Sequence, residues 1–356
     1  MDPDWKRFLL DAGAEFDGPG VVSFGNPDLE SRVATTGDVF CDLSHQGLIV
    51  ACGADAAAFL HAQLSNDVAG LGPEASRLAA YCDPKGRMLA VLRVFRRGEE
   101  FYLRLPRTLV EPTVERLDKF ILRSRVTLTD AGETLAGIGV SGPRASEHIA
   151  AALGEAPVAV DTVLQRGAVT LIRVPGLHPR FEAYGPTGEM RRFWDALNVH
   201  AAPVGTPAWT LLEVLAGLPT VYPETAGRFV PQMANLQLVG GVSFRKGCYP
   251  GQEVVARMQY LGTLKRRMVL AHARTDTPPR PGDPLHAPET GRGQDVGAVV
   301  DAAPAPDGGY LLLAVVRIAS AASGTVRLWD ENGPVLSLRP LPYPFPDDES
   351  SRGQST

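Results

Sequence analysis

The pattern of apolar and polar positions divides the chain into segments of different period. Residues 1–30 read as a helical start followed by a stretch rich in Gly and Pro. From Val39 the pattern sharpens. CDLSHQGLIVACG (41–53) reads as a strand with a turn. ADAAAFLHAQLSNDV (54–68) reads as a helix, because Ala58, Phe59, Ala62 and Leu64 recur at roughly helical spacing. In RLAAYCDPKGRMLAVLRVFRRGEEFYLRLP (77–106) three apolar runs are separated by the turn-type tetrads DPKG and RRGE, which predicts two consecutive hairpins of an antiparallel sheet. Pro106 ends the third strand. A helix over 107–123 follows, with Pro112 in its first turn and Val114, Leu117, Ile121 and Leu122 on one face.

Residues 134–200 repeat the mixture. TLAGIGVSG is a strand and PRASEHIAAAL a helix. AVDTV, AVTLIRV and RFEAYG are strands, and TGEMRRFWDALNV is a helix. The order β-α-β-β-β-α approximates a split βαβ, ferredoxin-like unit. Residues 207–264 return to mixed structure. Residues 266–340 hold only short strands with Gly, Pro and Asp between them, the signature of a small barrel or sandwich. The polar end, PYPFPDDESSRGQST, is expected to be disordered.

Composition narrows the class. The 356 residues suffice for two or three domains, with 44% hydrophobic and 21% charged residues as in globular proteins. Thirty-five Lys and Arg against 40 Asp and Glu leave a net charge of −5, which argues against a wholly basic nucleic-acid coat but not against a local basic site. Four cysteines, at 41, 52, 82 and 248, form no CxxC pair, so no zinc or thioredoxin-like motif is written locally. The first residues do not read as a secretory signal and the longest apolar runs are far short of a membrane span. The expectation is a reduced, cytoplasmic protein.

The chemistry concentrates in VSFRKGCYPGQEVVARMQYLGTLKRR (242–267). Over 244–267 six basic residues face one acid, a local charge of +5. QEVVARMQY reads as a helix, which puts Cys248 on a turn at a helix N-terminus. The macrodipole, Arg245 and Lys246 would favour its thiolate. A small buried hydrophobe is the other reading of a lone cysteine. Gly247 and Gly251 permit unusual backbone or a close approach.

KGCYPGQEVVAR resembles the signature of the YgfZ-type folate-binding proteins. DLSHQGLIVACGADAAAFLHAQLSNDV is similar to that family's N-terminal block, which it shares with the glycine-cleavage aminomethyltransferase. DPKGRMLAVLRVFR, LDKFILRSRVTL and FVPQMANLQLVGGVSFRKGCYPGQE match as well, whereas 266–340 match weakly. The resemblance implies an α+β, three-domain ring of the aminomethyltransferase kind. Its parts would be residues 1–132 with 205–265, a ferredoxin-like middle at 133–204, and a C-terminal β-barrel at 266–340, followed by a disordered tail, 341–356. It implies tetrahydrofolate or a derivative in a central channel. The implied role is the upkeep of iron–sulfur enzymes, including those that modify tRNA, with a transient iron–sulfur cluster in view. The expected partners are folate and iron–sulfur enzymes or assembly proteins, tRNA only indirectly and no membrane, for a monomer.

Lys246 and Cys248 carry over as the functional pair. Tyr249, Gly251, Gln252, Glu253 and Arg257 carry over as motif members. His45, Asn66, Arg87 and Glu182 are further ligand-binding candidates, Glu182 because a carboxylate pairs well with a pterin's aminopyrimidine edge. His45 and Asp42 have turn-stabilising roles as alternatives, and Asn66 and Asp67, after the first helix, either line the channel or cap the helix end. Arg87, Arg93, Arg96 and Arg97 form a second basic cluster that reads as a solvated face, or as a partner for the glutamate tail of a folate or for an RNA backbone. Tyr102, Trp194, Trp209 and Tyr222 suit core packing more than stacking on a pterin.

The resemblance also separates two activities. The transferase carries paired aspartates on the hairpin after the N-terminal block, and the matching positions here are Ala90 and Val91, which cannot handle a proton. Three readings compete: a folate-dependent accessory factor with a reactive thiol, an aminomethyltransferase, and a factor that contacts tRNA directly. The first is preferred, and a classical enzyme is not expected.

Overall fold

The computed structural model describes residues 1–288 and 296–345. Helix α1 (Pro3–Asp11) starts where Asp2 accepts from the Trp5 amide. Strands β1 (Glu15–Asp17) and β2 (Gly20–Ser23) form a hairpin. Helix α2 (Pro27–Thr36) has Asn26 as its cap and Pro27 in its first turn, where a missing N–H costs nothing.

Strands β3 (Val39–Asp42) and β4 (Gln46–Cys52) lead to α3 (Ala56–Gln63). That helix stops before the SNDV stretch, where Ser65 and Asn66 turn their side chains to backbone partners instead. The two expected hairpins are present as β5 (Ser76–Cys82), β6 (Met88–Arg97) and β7 (Glu100–Pro106). Helix α4 (Val110–Asp118) is shorter than the pattern suggested. The Phe120 and Ile121 amides bond back only three residues, to Leu117 and Asp118, so the last turn tightens and Leu122 emerges 87% exposed. With β8 (Thr127–Asp130) these strands make a five-stranded sheet, β5-β6-β7-β4-β8.

The second sheet contains β9 (Ala136–Ser141), then α5 (Ala145–Leu153), β10 (Val163–Arg166), β11 (Val169–Val174), β12 (Arg180–Gly185), α6 (Thr187–Leu197) and β13 (Ala202–Val204). Strand β10 begins at the end of the expected AVDTV strand, because Asp161 adopts a left-handed turn conformation with φ +66°. The order is β10-β11-β12-β9-β3-β13. This departs from the ferredoxin-like order. Strands β10, β11 and β12 are neighbours in sequence and form a meander, and β3 already occupies the other edge of β9.

Helix α7 (Thr206–Leu215) lies on this sheet so closely that a Cβ on Gly139 would sit 2.4 Å from the Trp209 ring. After α8 (Gln252–Tyr260) come β14 (Arg266–Ala273), β15 (Leu285–His286), β16 (Gly297–Pro304) and β17 (Tyr310–Arg317). Helix α9 (Ile318–Ser323), β18 (Arg327–Leu328) and β19 (Leu336–Arg339) complete the module. Pairing runs β16-β17-β14-β19 and β15-β18, and single bridges at Pro284–Ala298 and Arg327–Val335 join the two sets. Hydrogen-bonded neighbours therefore return to their start, as in a small barrel.

One apolar core runs from the five-stranded sheet through Met268, Leu270, Ala298 and Val315 of the C-terminal module. A second lies between the two large sheets, around Phe95, Tyr102, Tyr184 and Trp209. The disorder expected from residue 341 does not begin there. Leu341 packs on the core, the Tyr343 hydroxyl donates to the Gly217 carbonyl at 2.8 Å, and Arg267 lies over the Phe345 ring. The rest of that expected tail, 346–356, lies outside the described residues.

Candidate functional site

The KGCYPGQE segment is a loop clamped at its base. Ser65 Oγ donates to the Gly241 carbonyl, and Asn66 Nδ2 donates to the Leu78 and Gly240 carbonyls, each at 2.7 Å. Asn66 is therefore a buried fastener of the loop. Lys246 Nζ donates to the His61 and Leu64 carbonyls at the end of α3, where orphan carbonyls favour a cation. The same ammonium lies 4.9 Å from the centre of the Tyr249 ring. Half-burial pulls the Lys246 pKa down to about 8, against the opposing pull of Asp67 and Cys248.

Tyr249 is buried and Cys248 is exposed. Three residues separate Cys248 from α8, whose first turn follows Gly251 at φ +79°. Gly251 is required there for space as well as for conformation, since a Cβ would meet Asp83 O and Gly86 N at 2.5 Å. The turn of the first hairpin, closed by Asp83 Oδ1 on the Lys85 and Arg87 amides, thus packs on the start of α8. Two distant motifs of the sequence meet at this contact.

The remaining motif members divide. Gln252 Nε2 reaches the Lys246 carbonyl at 3.5 Å. Glu253 and Arg257 pair with each other on the exposed face of α8, at 2.6 Å. Arg87 donates to the Arg228 carbonyl at 2.7 Å. The other arginines of the expected basic cluster scatter. Arg96 lies over Phe101, Arg97 donates to the Ala168 carbonyl, and Arg93 is 1% exposed rather than solvated.

Arg93 belongs to a second assembly, a buried polar belt between the sheets, which also holds Glu182 and borders His45. Arg93 Nη1 donates to Ser76 Oγ at 2.9 Å and to Asp161 Oδ1 at 2.5 Å. Arg104 Nη2 donates to Glu182 Oε1 at 2.8 Å, and its Nη1 is 3.7 Å from Glu213 Oε1. Tyr184 donates its hydroxyl to Glu182 Oε2 at 2.9 Å. Burial would raise the Glu182 pKa, but Arg104 and Arg93 outweigh it and hold the carboxyl low. Arg180, on the same face of β12, lies over the Trp209 ring at 5.3 Å, and burial brings its pKa down to about 10.

Several donors in the belt are buried without a protein partner: all three Arg180 nitrogens, Nε and Nη2 of Arg93, Nε of Arg104 and Nε1 of Trp209. Sequence reasoning missed Arg104, Arg180 and Glu213. A single charged residue inside an otherwise apolar run, Arg104 in FYLRLP and Glu213 in WTLLEVLAG, was the available signal.

A cavity of 820 Å³ opens beside the belt, between the β1–β2 hairpin, α7 and the C-terminal module. His45, Thr206, Tyr222, Asp301 and Tyr310 line it, with several prolines. Burial pushes Asp301 up to about 7, with Glu213 adding to the effect. Burial and then Arg104 push His45 down to about 4, so its imidazole is neutral at pH 7. A much smaller cavity is lined by Val91, Arg93, Arg104 and Glu213.

Residues 28–244 match the family model of the GCVT N-terminal domain. The chain is 33% identical over 305 residues to the tRNA-modifying protein YgfZ of Klebsiella pneumoniae, covering 86% of this chain and 93% of the relative. The protein of the same name from Yersinia enterocolitica is 30% identical over 307 residues, with the same coverage. The chain belongs to the YgfZ family. The glycine cleavage aminomethyltransferase T of Bartonella henselae has the same fold, with TM-score 0.76 at 20% identity over 96% of this chain and 97% of that one.

Within this YgfZ-family chain the aromatic candidates are mostly core. Trp194 sits among Trp5, Phe8, Phe24 and Phe40. Tyr102 stacks on Phe95, and Trp209 is fully buried. Tyr222 reaches the large cavity. Asp42 caps its own turn through Ser44 and accepts from Trp5 Nε1 at 2.8 Å. Among the described residues no three His, Cys, Asp or Glu side chains gather as a metal site, and no helix is long and apolar enough to cross a membrane.

Proposed function

We propose that this chain is a reduced-folate-binding accessory factor that serves iron–sulfur enzymes of tRNA modification through its Cys248 loop. The observation that carries the reading is the exposed Cys248 held beside the half-buried ammonium of Lys246, on a loop fastened at its base by Ser65 and Asn66. The relatives' name supports the tRNA-modifying part, and the shared fold with an aminomethyltransferase supports the folate part. Cys248 presents sulfur to a partner protein or as one ligand of a transient iron–sulfur cluster whose other ligands the partner supplies. Cys41 and Cys82 are buried, and Cys52 is engaged with Glu100.

The residues present fit a folate. The 820 Å³ cavity is within the range that encloses ligands of this size, and its wall carries Tyr222, Tyr310 and the cationic Arg280. When bound, a reduced folate supplies a nitrogen that accepts one-carbon units. The transferase reading is the weaker one, because Val91 presents an aliphatic side chain to the belt cavity at a position matched to the transferase's aspartates.

Two measurements test the proposal. Tetrahydrofolate titrated into the purified chain is expected to bind below millimolar concentration, and no binding would overturn the folate assignment. Cys248→Ser is expected to keep the fold and folate binding but to fail to restore iron–sulfur tRNA-modifying activity in cells lacking the protein. Full restoration would show that the thiol is structural.

A further inference from the structure

The last turn of α3 carries His61, which touches the Cys248 loop at two points. Its carbonyl accepts from Lys246 Nζ. Its Nε2 lies 3.7 Å from the place a Cβ on Gly247 would take, and apart from the adjacent residues no other atom comes within 4 Å of that place. The imidazole is 24% exposed, so a ligand from solvent can reach it.

The ring is oriented from behind. Nδ1 lies 3.1 Å from Asp67 Oδ1. That carboxylate is itself fixed: Oδ1 accepts from the Gly70 amide at 3.0 Å, and Oδ2 lies 3.1 Å from Arg77 Nη1. The Ala69 amide also approaches Nδ1, at 3.3 Å, but the charged acceptor is closer and sets the tautomer. With the proton on Nδ1, the lone pair stands on Nε2, on the side of the loop. A carboxylate behind an imidazole is the arrangement that orients histidine ligands of metals.

Gly247 bears on the same point. Its backbone has no positive φ, so the turn does not require a glycine there. The missing side chain instead leaves the face of Nε2 open, next to the exposed Cys248. A thiolate and a neutral imidazole form a donor set for zinc and iron, including the iron of some clusters. The pair falls short of the three side chains that would close a metal site by themselves. A four-coordinate ion held by two donors keeps two positions for a partner's ligands, which suits hand-over rather than storage.

We propose that His61 Nε2 and Cys248 Sγ are joint donors to one thiophilic metal ion, the iron of a transferred cluster, with Asp67 as the positioning residue for the imidazole. The inference rests on the reading of Cys248 as a sulfur donor and adds its second protein ligand. On coordination the S–H bond breaks, its electron pair becomes the sulfur–metal bond, and the proton leaves to solvent, with no change of oxidation state.

The test is titration of the full reduced chain with cobalt(II) at neutral pH, read by the thiolate-to-cobalt charge-transfer absorption. One cobalt per chain is expected, displaced by zinc, and Cys248→Ser is expected to abolish the band. His61→Ala is expected to weaken binding by about tenfold or more, and Asp67→Asn severalfold. Neither is expected to change the alkylation rate of Cys248 in the metal-free chain, which damage to the loop would change. Gly247→Leu covers Nε2 from the loop side. It is expected to weaken cobalt as His61→Ala does, and it decides the matter if the His61 variant does not fold. A Cys248-dependent band of unchanged affinity in the His61 and Gly247 variants would overturn the inference and leave Cys248 as the single protein donor. Absence of any Cys248-dependent band would overturn both the inference and the role of Cys248 as a cluster ligand.

Discussion

Arg93 on β6 and Arg104 on β7 stand directly opposite one another in an antiparallel pair, and both side chains are buried. Like charges in that position repel, and water is not there to screen them. Three acids offset the pair, each from a different element: Asp161 before β10, Glu182 on β12 and Glu213 on α7. The two large sheets and α7 are thereby tied at one point. Removing Glu182 leaves Arg104 with the Glu213 carboxylate at 3.7 Å and the neutral Gln46 amide oxygen at 3.4 Å. Glu182→Ala is expected to cost about 3–5 kcal/mol, read as a lower urea midpoint with an unchanged slope. A loss under 1 kcal/mol would show that the belt is not a stabilising tie.

The four cysteines differ in access. Burial pushes Cys41 far up and Cys82 up to about 12, and burial with Glu100 pushes Cys52 up to about 11. Cys248 is the exposed one. Timed alkylation at neutral pH, followed by mass spectrometry, is expected to label Cys248 first, with Cys41 and Cys82 labelled only on unfolding. Lys246→Ala removes the neighbouring positive charge and is expected to slow the labelling. Earlier labelling of Cys52 would contradict the exposure of the loop.

Gly251 joins the two motifs. Gly251→Ala combines a left-handed backbone at φ +79° with a Cβ 2.5 Å from the Asp83–Gly86 turn. The expected cost exceeds 1 kcal/mol, and hydrogen exchange should speed up in both 83–87 and 246–252. Faster exchange in one segment alone would show that the turn and the loop are not coupled.

Asp301 makes stability depend on pH. Its folded value, about 7, lies above the ordinary carboxylate value of 3.8, so the folded state holds the proton more tightly. Its contribution is full below about pH 4 and is lost as pH rises through 7. His45, lowered to about 4, acts in the opposite sense, gaining stability as pH rises from 4 to 6.5. Asp301→Asn removes only the first effect. The melting temperature of the variant minus that of the wild type is expected to increase from pH 5 to pH 8, and a constant difference would show that Asp301 does not titrate there.

The local elements were legible in the residues. The DPKG and RRGE turns set three strands in register, and the apolar alternation around them placed β5, β6 and β7. The KGCYPGQE string marked the loop that presents Cys248, because short-range turn chemistry and the glycines it needs are written in consecutive residues. The long-range pairings were not legible. Nothing in sequence spacing sets β3 beside β9 or leaves β10 at a sheet edge, since strand order depends on which apolar faces meet. The same holds for charge. Arg93 reads in sequence as one of several exposed basic residues, and only the face of β6 that turns toward β12 makes it a buried partner of Asp161. Asp301 is the clearest case. Its stretch of short strands carries little pattern, and its ionisation is set by burial and by Glu213 and the Tyr222 hydroxyl, which come from much earlier in the chain. Local hydrogen-bonding preferences act over a few residues and are written there, whereas the polarity and ionisation of a buried site depend on groups brought together only when the modules close on one another.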